Sequence, residues 1–330
     1  MEPERREPAP AGGGDNNAAA AGNTRLDDNE LRANLDALTA RKKNMGWGAL
    51  ACLAGAVIFF FADIWPLSIP ALIAALAFWL MKSSASARMI GLIKQNAVRD
   101  ALEAVFSDIE YNPRGCFPRH IISGAGLVDG WDHCSGSDYV KALYKGHRIE
   151  FSDIHLEREE TTTDSDGHTQ THYVTVFRGQ WISCQLDKQL PAMVRVREKA
   201  ERRGIAKKMF GSHVNRKSDV ETENLAFNTQ FQILTNDPHT AFYVLTPHFM
   251  EYILAADQQA NGLTNLCFAG EAVYIAVHNN RDSFEIGRKA ATTKDLPALR
   301  RRFQAETRYI TAILDELFQN DHLFKGTENA

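Results

Sequence analysis

The amino-acid sequence predicts an α+β protein: a two-helix transmembrane hairpin followed by a cytoplasmic domain with a mostly antiparallel sheet and flanking helices. Of the 36 residues from Gly46 to Met81, 29 are hydrophobic and one is charged. From Tyr139 onward apolar residues alternate with a period of two, which indicates strands. A few separate helical stretches interrupt the strands, a pattern that favours α+β over βαβ winding.

The composition limits the class of protein. The chain has 330 residues, of which 44% are hydrophobic and 24% charged, with a net charge of −4. This charge gives no general attraction to nucleic acid, which we therefore do not expect as a partner. Five cysteines and no CxxC pair argue against a disulfide scaffold and favour reduced thiols in a cytoplasm. No GxSxG, Walker, GxGxxG or HExxH motif is present, so we predict no cofactor and no metal.

The chain before the hairpin divides into two predicted parts. Residues 1–24 are rich in Pro, Gly, Ala and Asn, so they bury too little apolar surface to fold and are predicted to be disordered. Residues 25–44 are predicted to form an amphipathic helix, because Leu31, Leu35 and Leu38 fall on one helical face.

The hairpin is predicted over residues 45–82, with spans at about 45–62 and 64–81. About 18 helical residues cover the hydrocarbon thickness of a bilayer. Asp63, Pro66 and Pro70 disfavour one continuous helix and mark a turn, with proline in the opening turn of the second span. The alternative is a helical hairpin buried in a soluble core.

Aromatic and basic residues predict the orientation of the hairpin. Trp47 and Trp79 belong to one membrane interface and Trp65 to the other. The flanking cations are Arg32, Arg41, Lys42 and Lys43 before the first span and Lys82, Arg88 and Lys94 after the second. The turn has none, so the positive-inside rule places both termini in the cytoplasm.

The rest of the chain is predicted to be one soluble unit between two flanking segments. An apolar stripe predicts an amphipathic linker helix over residues 83–111. The α+β domain follows over residues 112–320, and residues 321–330 form a polar tail. Within the domain, Thr246 and Pro247 mark the start of one helix, and a second helix with an apolar face closes the fold. Residues 224–237 are predicted to form one strand and residues 263–287 two or three strands.

A polar loop between two alternating segments admits three interpretations. The pair Asp166-Gly167 favours a β-hairpin turn. Asp164 and Asp166 resemble the opening of a calcium loop, although the remaining ligands and the closing glutamate are absent. His168 and His172 are a candidate metal pair without a third ligand at a recognisable spacing. We favour an exposed hairpin.

Five short runs carry a resemblance to a known family. They are Gly126-Leu127, Ser137-Asp138-Tyr139-Val140, Arg148-Ile149-Glu150-Phe151-Ser152-Asp153-Ile154, Val176-Phe177-Arg178-Gly179 and Phe242-Tyr243-Val244-Leu245-Thr246-Pro247. Their order and spacing resemble, from roughly residue 25 to residue 319, an uncharacterised bacterial membrane family catalogued as domain of unknown function 3137. The resemblance implies the hairpin-then-domain architecture and a bacterial inner membrane. It implies no catalytic residues.

Two groups of residues are candidates for a site. Cys134 beside His133 and Asp132 is a candidate thiol nucleophile, although neighbours in sequence seldom point at one another. The stretch 195–217, called here the basic segment, holds nine Lys or Arg against two Glu. The candidate contacts of this segment with an anionic leaflet are Arg195, Arg197, Arg202, Arg203, Lys207 and Lys208. A solvated surface is the alternative, and a second basic cluster, Arg300 to Arg302, lies in the last helix.

These features together predict a membrane-anchored cytoplasmic binding or scaffold module that contacts a protein partner, a second copy of the chain or anionic lipid. The alternative is a membrane-anchored, hydrolase-like enzyme with an unrecognised active site. A deep pocket with converging acidic, histidine or cysteine side chains would favour the enzyme.

Overall fold

The computed structural model describes residues 26–62, 64–163, 169–199, 219–260, 262–286 and 296–324. Its helices are α1 (Asp28–Phe61), α2 (Trp65–Ile93), α3 (Arg99–Glu103), α4 (Arg119–Ala125), α5 (Leu225–Gln230), α6 (Pro238–Val244), α7 (Pro247–Gln259) and α8 (Leu296–Leu317), with a π-helical segment, Lys94–Val98, between α2 and α3. Its strands are β1 (Ser107–Asn112), β2 (His133–Tyr144), β3 (His147–Thr163), β4 (Thr169–Glu198), β5 (Phe231–Thr235) and β6 (Leu263–His278). The predicted α+β class is confirmed.

Helix α1 joins the predicted amphipathic helix and the first predicted span without a break. It begins after Asp27, whose backbone N–H donates to the Glu30 carboxylate at 3.3 Å. Leu31 and Leu35 are fully buried, as the spacing predicts, and Leu38 is half-buried. The two glycines of the junction, Gly46 and Gly48, do not interrupt the hydrogen bonding of the helix.

The hairpin exposes its apolar side chains from Trp47 to Met81. The large apolar residues exposed there are Trp47, Leu50, Leu53, Val57, Ile58, Phe60, Phe61, Ile64, Leu67, Ile69, Leu72, Ile73, Leu76, Trp79, Leu80 and Met81. Both helices are long and apolar enough to cross a membrane. The alternative of a hairpin buried in a soluble core is therefore wrong for this structure. Asp63 lies outside the described residues.

The near part of the hairpin belongs to the core of the domain. Met89, Ile93 and Ala97 are buried in the same cluster as Leu31 and Leu35. The helix therefore enters the domain directly, with no extended linker between them.

The linker helix, predicted over residues 83–111, ends earlier in the structure than predicted. The helix ends at Glu103, and residues 107–112 form the edge strand β1, paired antiparallel with β2. Ile109 and Tyr111 alternate with exposed residues as a strand requires, and β2 provides their backbone partners.

The sheet is antiparallel throughout and centres on β4. The order is β1-β2-β3-β4-β5, and β6 pairs with the other edge of β4. β4 is 30 residues long, so its first half pairs with β3 and its last residues with β5. The predicted hairpin is confirmed by the pairing of Thr163 with Thr169, and residues 164–168 lie outside the described part of the chain.

The C-terminal half confirms two helices and corrects two strands. Thr246 accepts a hydrogen bond from the Phe249 backbone N–H at 3.3 Å and caps α7, as predicted. Helix α8 buries its apolar face, including Phe303 and Ile310. The segment predicted as one strand before residue 236 begins with helix α5, because the Asn224 side chain caps it by accepting from Phe227 N–H. β6 is one long strand where two or three were expected.

Candidate functional site

A polar cavity of about 300 Å³ opens where β2, β3, β4 and the loop after β6 meet. It is lined by Ser135, Gly136, Ser137, Asp153, Ile154, His155, Arg178, Arg281 and Asp282. Gly136 forms part of its wall: a Cβ there would lie 2.4 Å from the Asp153 carbonyl oxygen. Only a residue without a side chain permits β2 and β3 to approach this closely.

Asp138 lies at an irregularity in β2 beside this cavity. Its φ of 59° is in the left-handed region, and the β2–β3 register shifts between Ser137 and Val140. Such bulges re-aim side chains and occur near functional sites. The side chain of Asp138 is fully buried, so this irregular backbone directs a carboxylate into the interior of the fold.

Three donors satisfy the Asp138 carboxylate. Tyr111 Oη donates to Oδ1 at 2.5 Å and Ser137 Oγ donates to Oδ2 at 2.9 Å, while Lys94 Nζ forms an ion pair with Oδ2. Burial raises the pKa of Asp138, and the Lys94 charge opposes that shift. Burial and the nearby Asp138 charge raise the pKa of Tyr111, which keeps the phenol protonated as a donor.

Asp153 on β3 and Asp282 in the loop after β6 complete an acidic cluster with Asp138. One carboxylate oxygen from each residue lies within 4.8 Å of the other two. The Ser283 backbone N–H donates to Asp153 Oδ2 at 2.9 Å. Asp153 Oδ1 and Asp282 Oδ1 are buried, and no donor among the described residues reaches them. The two carboxyl groups lie within hydrogen-bonding distance of each other. Burial, and then the charges of Asp282 and Asp138, raise the pKa of Asp153 well above its usual value.

Hydrogen bonds from α8 and β4 fix the loop that carries Asp282. Arg302 of α8 donates to the carbonyl oxygens of Glu285 at 2.9 Å and of Asp282 and Ser283 at 3.3 Å. Gln180 Nε2 of β4 donates to Ser283 Oγ at 2.7 Å. Arg302, which belongs to the basic cluster of the last helix, therefore holds the loop together with Gln180, and these hydrogen bonds position Asp282.

Cationic and neutral groups form the rim of the cavity. Arg178 and Arg281 line it, and Arg178 forms an ion pair with Glu285 at 3.8 Å. His155 Nε2 shares a hydrogen bond with Thr175 Oγ1 at 2.8 Å. A cavity lined by both carboxylate and guanidinium groups is suited to a small polar ligand or a cation.

The structure does not assemble the predicted cysteine site. Cys134 is half-buried, and burial raises the pKa of its thiol to about 11, which opposes the thiolate that a nucleophile needs. Asp132 accepts a hydrogen bond from the Glu159 backbone N–H at 2.9 Å, and His133 lies 3.6 Å from the Glu159 carboxylate. Neither residue has a hydrogen bond or ion pair with Cys134 in the described structure.

Two arginines at the start of the basic segment hold helix α4 in place. Arg195 Nε donates to the Ala125 carbonyl oxygen at 3.0 Å. Arg197 pairs with Asp129 at 2.8 Å and donates to the Gly126 carbonyl oxygen. Their guanidinium groups are therefore used inside the domain. The other four candidate lipid contacts, Arg202, Arg203, Lys207 and Lys208, lie outside the described residues.

The hairpin end next to the domain carries a second groove. It has a volume of about 430 Å³ and is lined by Thr39, Lys42, Lys43, Gly46, Trp47, Leu50 and Lys82. A Cβ on Gly46 would lie 3.6 Å from Lys82 Nζ, so Lys82 of α2 lies against α1. Trp47 and Trp79 are exposed at this end, and the Trp65 side chain is outside the described set.

Sequence reasoning missed the acidic cluster, although a signal was present. On β3, Asp153 follows Ile149 and Phe151 at a period of two, so it shares their buried face. An acidic residue in register with core positions indicates a buried carboxylate. Asp138 and Asp282 carry no such signal, because a bulge and a loop position them.

Two comparisons relate the chain to known proteins. Residues 175–318 match the family described as protein of unknown function (DUF3137), which confirms the resemblance over this part of the chain. The chain is also similar to the mycobacterial trehalose monomycolate transport factor A, TtfA, with 12% identity and a TM-score of 0.31 over 66% of this chain and 95% of that one. That likeness is too low to support a conclusion. No curated protein matches.

Proposed function

We propose that the protein is a membrane-anchored binding module whose hairpin spans a bacterial inner membrane and holds the α+β domain at the cytoplasmic face. The exposed apolar surface of α1 and α2 carries this proposal. Soluble proteins rarely expose large contiguous apolar surface, and a bilayer is the solvent that such a hairpin fits.

The distribution of cations supports the orientation. Lys42, Lys43 and Lys82 lie at the end of the hairpin next to the domain, and the turn between the helices has no Lys or Arg. The excess of positive charge belongs to the cytoplasmic side. Both chain termini are then cytoplasmic.

Fusions of alkaline phosphatase and green fluorescent protein to the full chain test this topology. Fluorescence from fusions at Thr24 and Ala330, with phosphatase activity from an insertion at Asp63, is the expected result. Phosphatase activity from either terminal fusion would overturn the orientation.

The lysine groove at the base of the hairpin supports contact with anionic lipid. Three lysines and Trp47 line one concave surface at the membrane boundary. Each cation near an anionic leaflet contributes roughly 1 kcal/mol, so this groove favours a lipid phosphate. The four cations outside the described residues add to the same proposal. Exposed Phe242 and Tyr243 on α6 support a separate contact with a protein partner.

Quenching of tryptophan fluorescence by brominated lipid tests the groove. The full chain is reconstituted into bilayers of phosphatidylglycerol and phosphatidylcholine, with bromine on one lipid at a time. We expect stronger quenching by the anionic lipid, reduced by salt and lost in a variant with Lys42, Lys43 and Lys82 changed to Gln. Lys188→Gln, far along the chain on β4, is the matched control. Equal quenching by both lipids in the unaltered chain would contradict the lipid contact.

The polar cavity favours a second candidate function, that of a membrane-anchored enzyme. Asp153, Asp282 and His155 converge on it, and a buried carboxyl with a raised pKa is a common feature of general acids. A panel of ester, phosphate and glycoside substrates tests this candidate. Turnover that Asp153→Asn abolishes would support it, and the absence of turnover on every substrate would remove it.

A further inference from the structure

We propose that Asp138, Asp153 and Asp282 form a binding site for one divalent cation that prefers oxygen ligands, such as Mn²⁺, Ca²⁺ or Mg²⁺. The three residues come from β2, β3 and the loop after β6, so the tertiary fold alone brings them together. The site does not depend on membrane anchoring or on catalysis.

The spacing of the oxygens fits a single ion. Each carboxylate offers an oxygen within 4.8 Å of the other two. Ca²⁺–oxygen distances are about 2.3–2.6 Å, so ligands on opposite sides of one ion lie about 4.6–5.2 Å apart. Carboxylate and carbonyl oxygens are the ligands that these hard cations select.

Buried oxygens without partners point to a ligand. Asp153 is 6% exposed and lines the cavity, yet no donor among the described residues reaches its Oδ1, which faces the carboxyl group of Asp282. Gln180 stands opposite Asp153 in the β3–β4 register, is 1% exposed, and has an unpartnered Oε1 in the same part of the chain. A buried polar atom left unpaired destabilises the fold, so two at neighbouring positions point to a ligand between them.

The charged groups around the cluster sum to a net negative charge, which favours a cation. Lys94 neutralises Asp138, which leaves the carboxylates of Asp153 and Asp282. Arg178 and Arg281 line the cavity, and Arg178 already pairs with Glu285. The cavity of about 300 Å³ gives a hydrated ion a path inward and room for water ligands.

The test uses the full chain in detergent micelles, freed of metal with EDTA, and Mn²⁺ as the probe. Electron paramagnetic resonance reports free Mn²⁺, because the signal broadens on binding. We expect about one Mn²⁺ per chain, displaced by Ca²⁺ or Mg²⁺. Asp153→Asn and Asp282→Asn should each weaken binding about tenfold or more. Asp321→Asn, at an exposed carboxylate of the C-terminal segment, should leave binding unchanged.

A second measurement does not depend on the variants. The unfolding temperature of the unaltered chain should rise with Mn²⁺ and not with NaCl of equal ionic strength, because a ligand that binds only the folded state stabilises it. The proposal would be overturned if the chain bound no Mn²⁺ at millimolar concentration. It would also be overturned if Asp153→Asn and Asp282→Asn both bound Mn²⁺ as tightly as the unaltered chain.

Discussion

Replacing Lys94 with methionine tests whether the helix that leaves the hairpin is fastened to the sheet by a buried ion pair. Lys94 is 12% exposed and Asp138 is fully buried, so neither charge has much access to water. Methionine keeps the length and the apolar stem of lysine but removes the charge. We therefore expect the variant to lose the pair while retaining the packing of the helix.

The size of the effect follows from what remains around Asp138. Tyr111 and Ser137 still donate to the carboxylate at 2.5 and 2.9 Å, but no cation balances its charge. Breaking one side of a buried pair costs about 3–5 kcal/mol. For a domain of this size, that cost corresponds to a fall of roughly 6–20 °C in unfolding temperature. Proton uptake by Asp138 limits the loss at low pH.

Thermal unfolding of the full chain in micelles with EDTA measures this effect through a double-mutant cycle with Asp138→Asn. The double variant should recover much of the loss, because it leaves no unpaired charge. Lys145→Met is the matched control: Lys145 pairs with Asp315 at 2.7 Å, but both side chains are about half exposed, so we expect about 1 kcal/mol or less. Equal effects of Lys94→Met and Lys145→Met would refute the reasoning.

Three further predictions concern the sheet and its loops. A Cβ at Gly179 would lie 2.0 Å from the Val277 carbonyl oxygen, so Gly179→Ala should lower the unfolding temperature. Gly124 has open space at its Cβ position, so Gly124→Ala should leave the unfolding temperature unchanged. Equal unfolding temperatures of the two variants would contradict this reasoning. Replacing the residues between Thr162 and Gln170 by Asn-Gly keeps these two residues paired, so solubility and unfolding temperature should stay unchanged. Aggregation of this variant would show that the loop is packed. Burial lowers the pKa of His278, so the unfolded chain binds more protons than the folded one below about pH 6.5. Stability should therefore fall as the pH drops through this range, and an equally steep pH dependence in His278→Gln would exclude this cause.

The sequence predicted correctly those helices that are determined by residues close together in the chain. The buried face of α1 follows from Leu31 and Leu35, and the start of α7 follows from the side chain of Thr246. The spacing of apolar residues and the capping chemistry act within one or two helical turns, so they can be read directly from the sequence.

The elements that sequence reasoning missed depend on distant partners. Strand β1 continues a helical pattern, and it becomes a strand because β2 offers an edge to pair with. The acidic cluster joins residues about 15 and 130 positions apart. Charge density alone predicted a lipid role for Arg195, and the hydrogen bond from its side chain to the end of α4 depends on a residue 70 positions away.

The continuity of the helix from the hairpin into the domain fixes the position of the cavity relative to the proposed membrane. Twelve residues separate Lys82 in the interfacial groove from Lys94 beside Asp138, which is about 18 Å along a helix. Arg300 of α8 pairs with Asp28 of α1 at 3.0 Å and with Asp100 of α3 at 3.2 Å, so α8 clamps the helices that enter the domain. A Debye length at physiological salt is about 8 Å, so the charge of the leaflet is screened before it reaches the cavity. In the proposed topology, the cavity would face solutes of the cytoplasm and the lysine groove would face lipid headgroups.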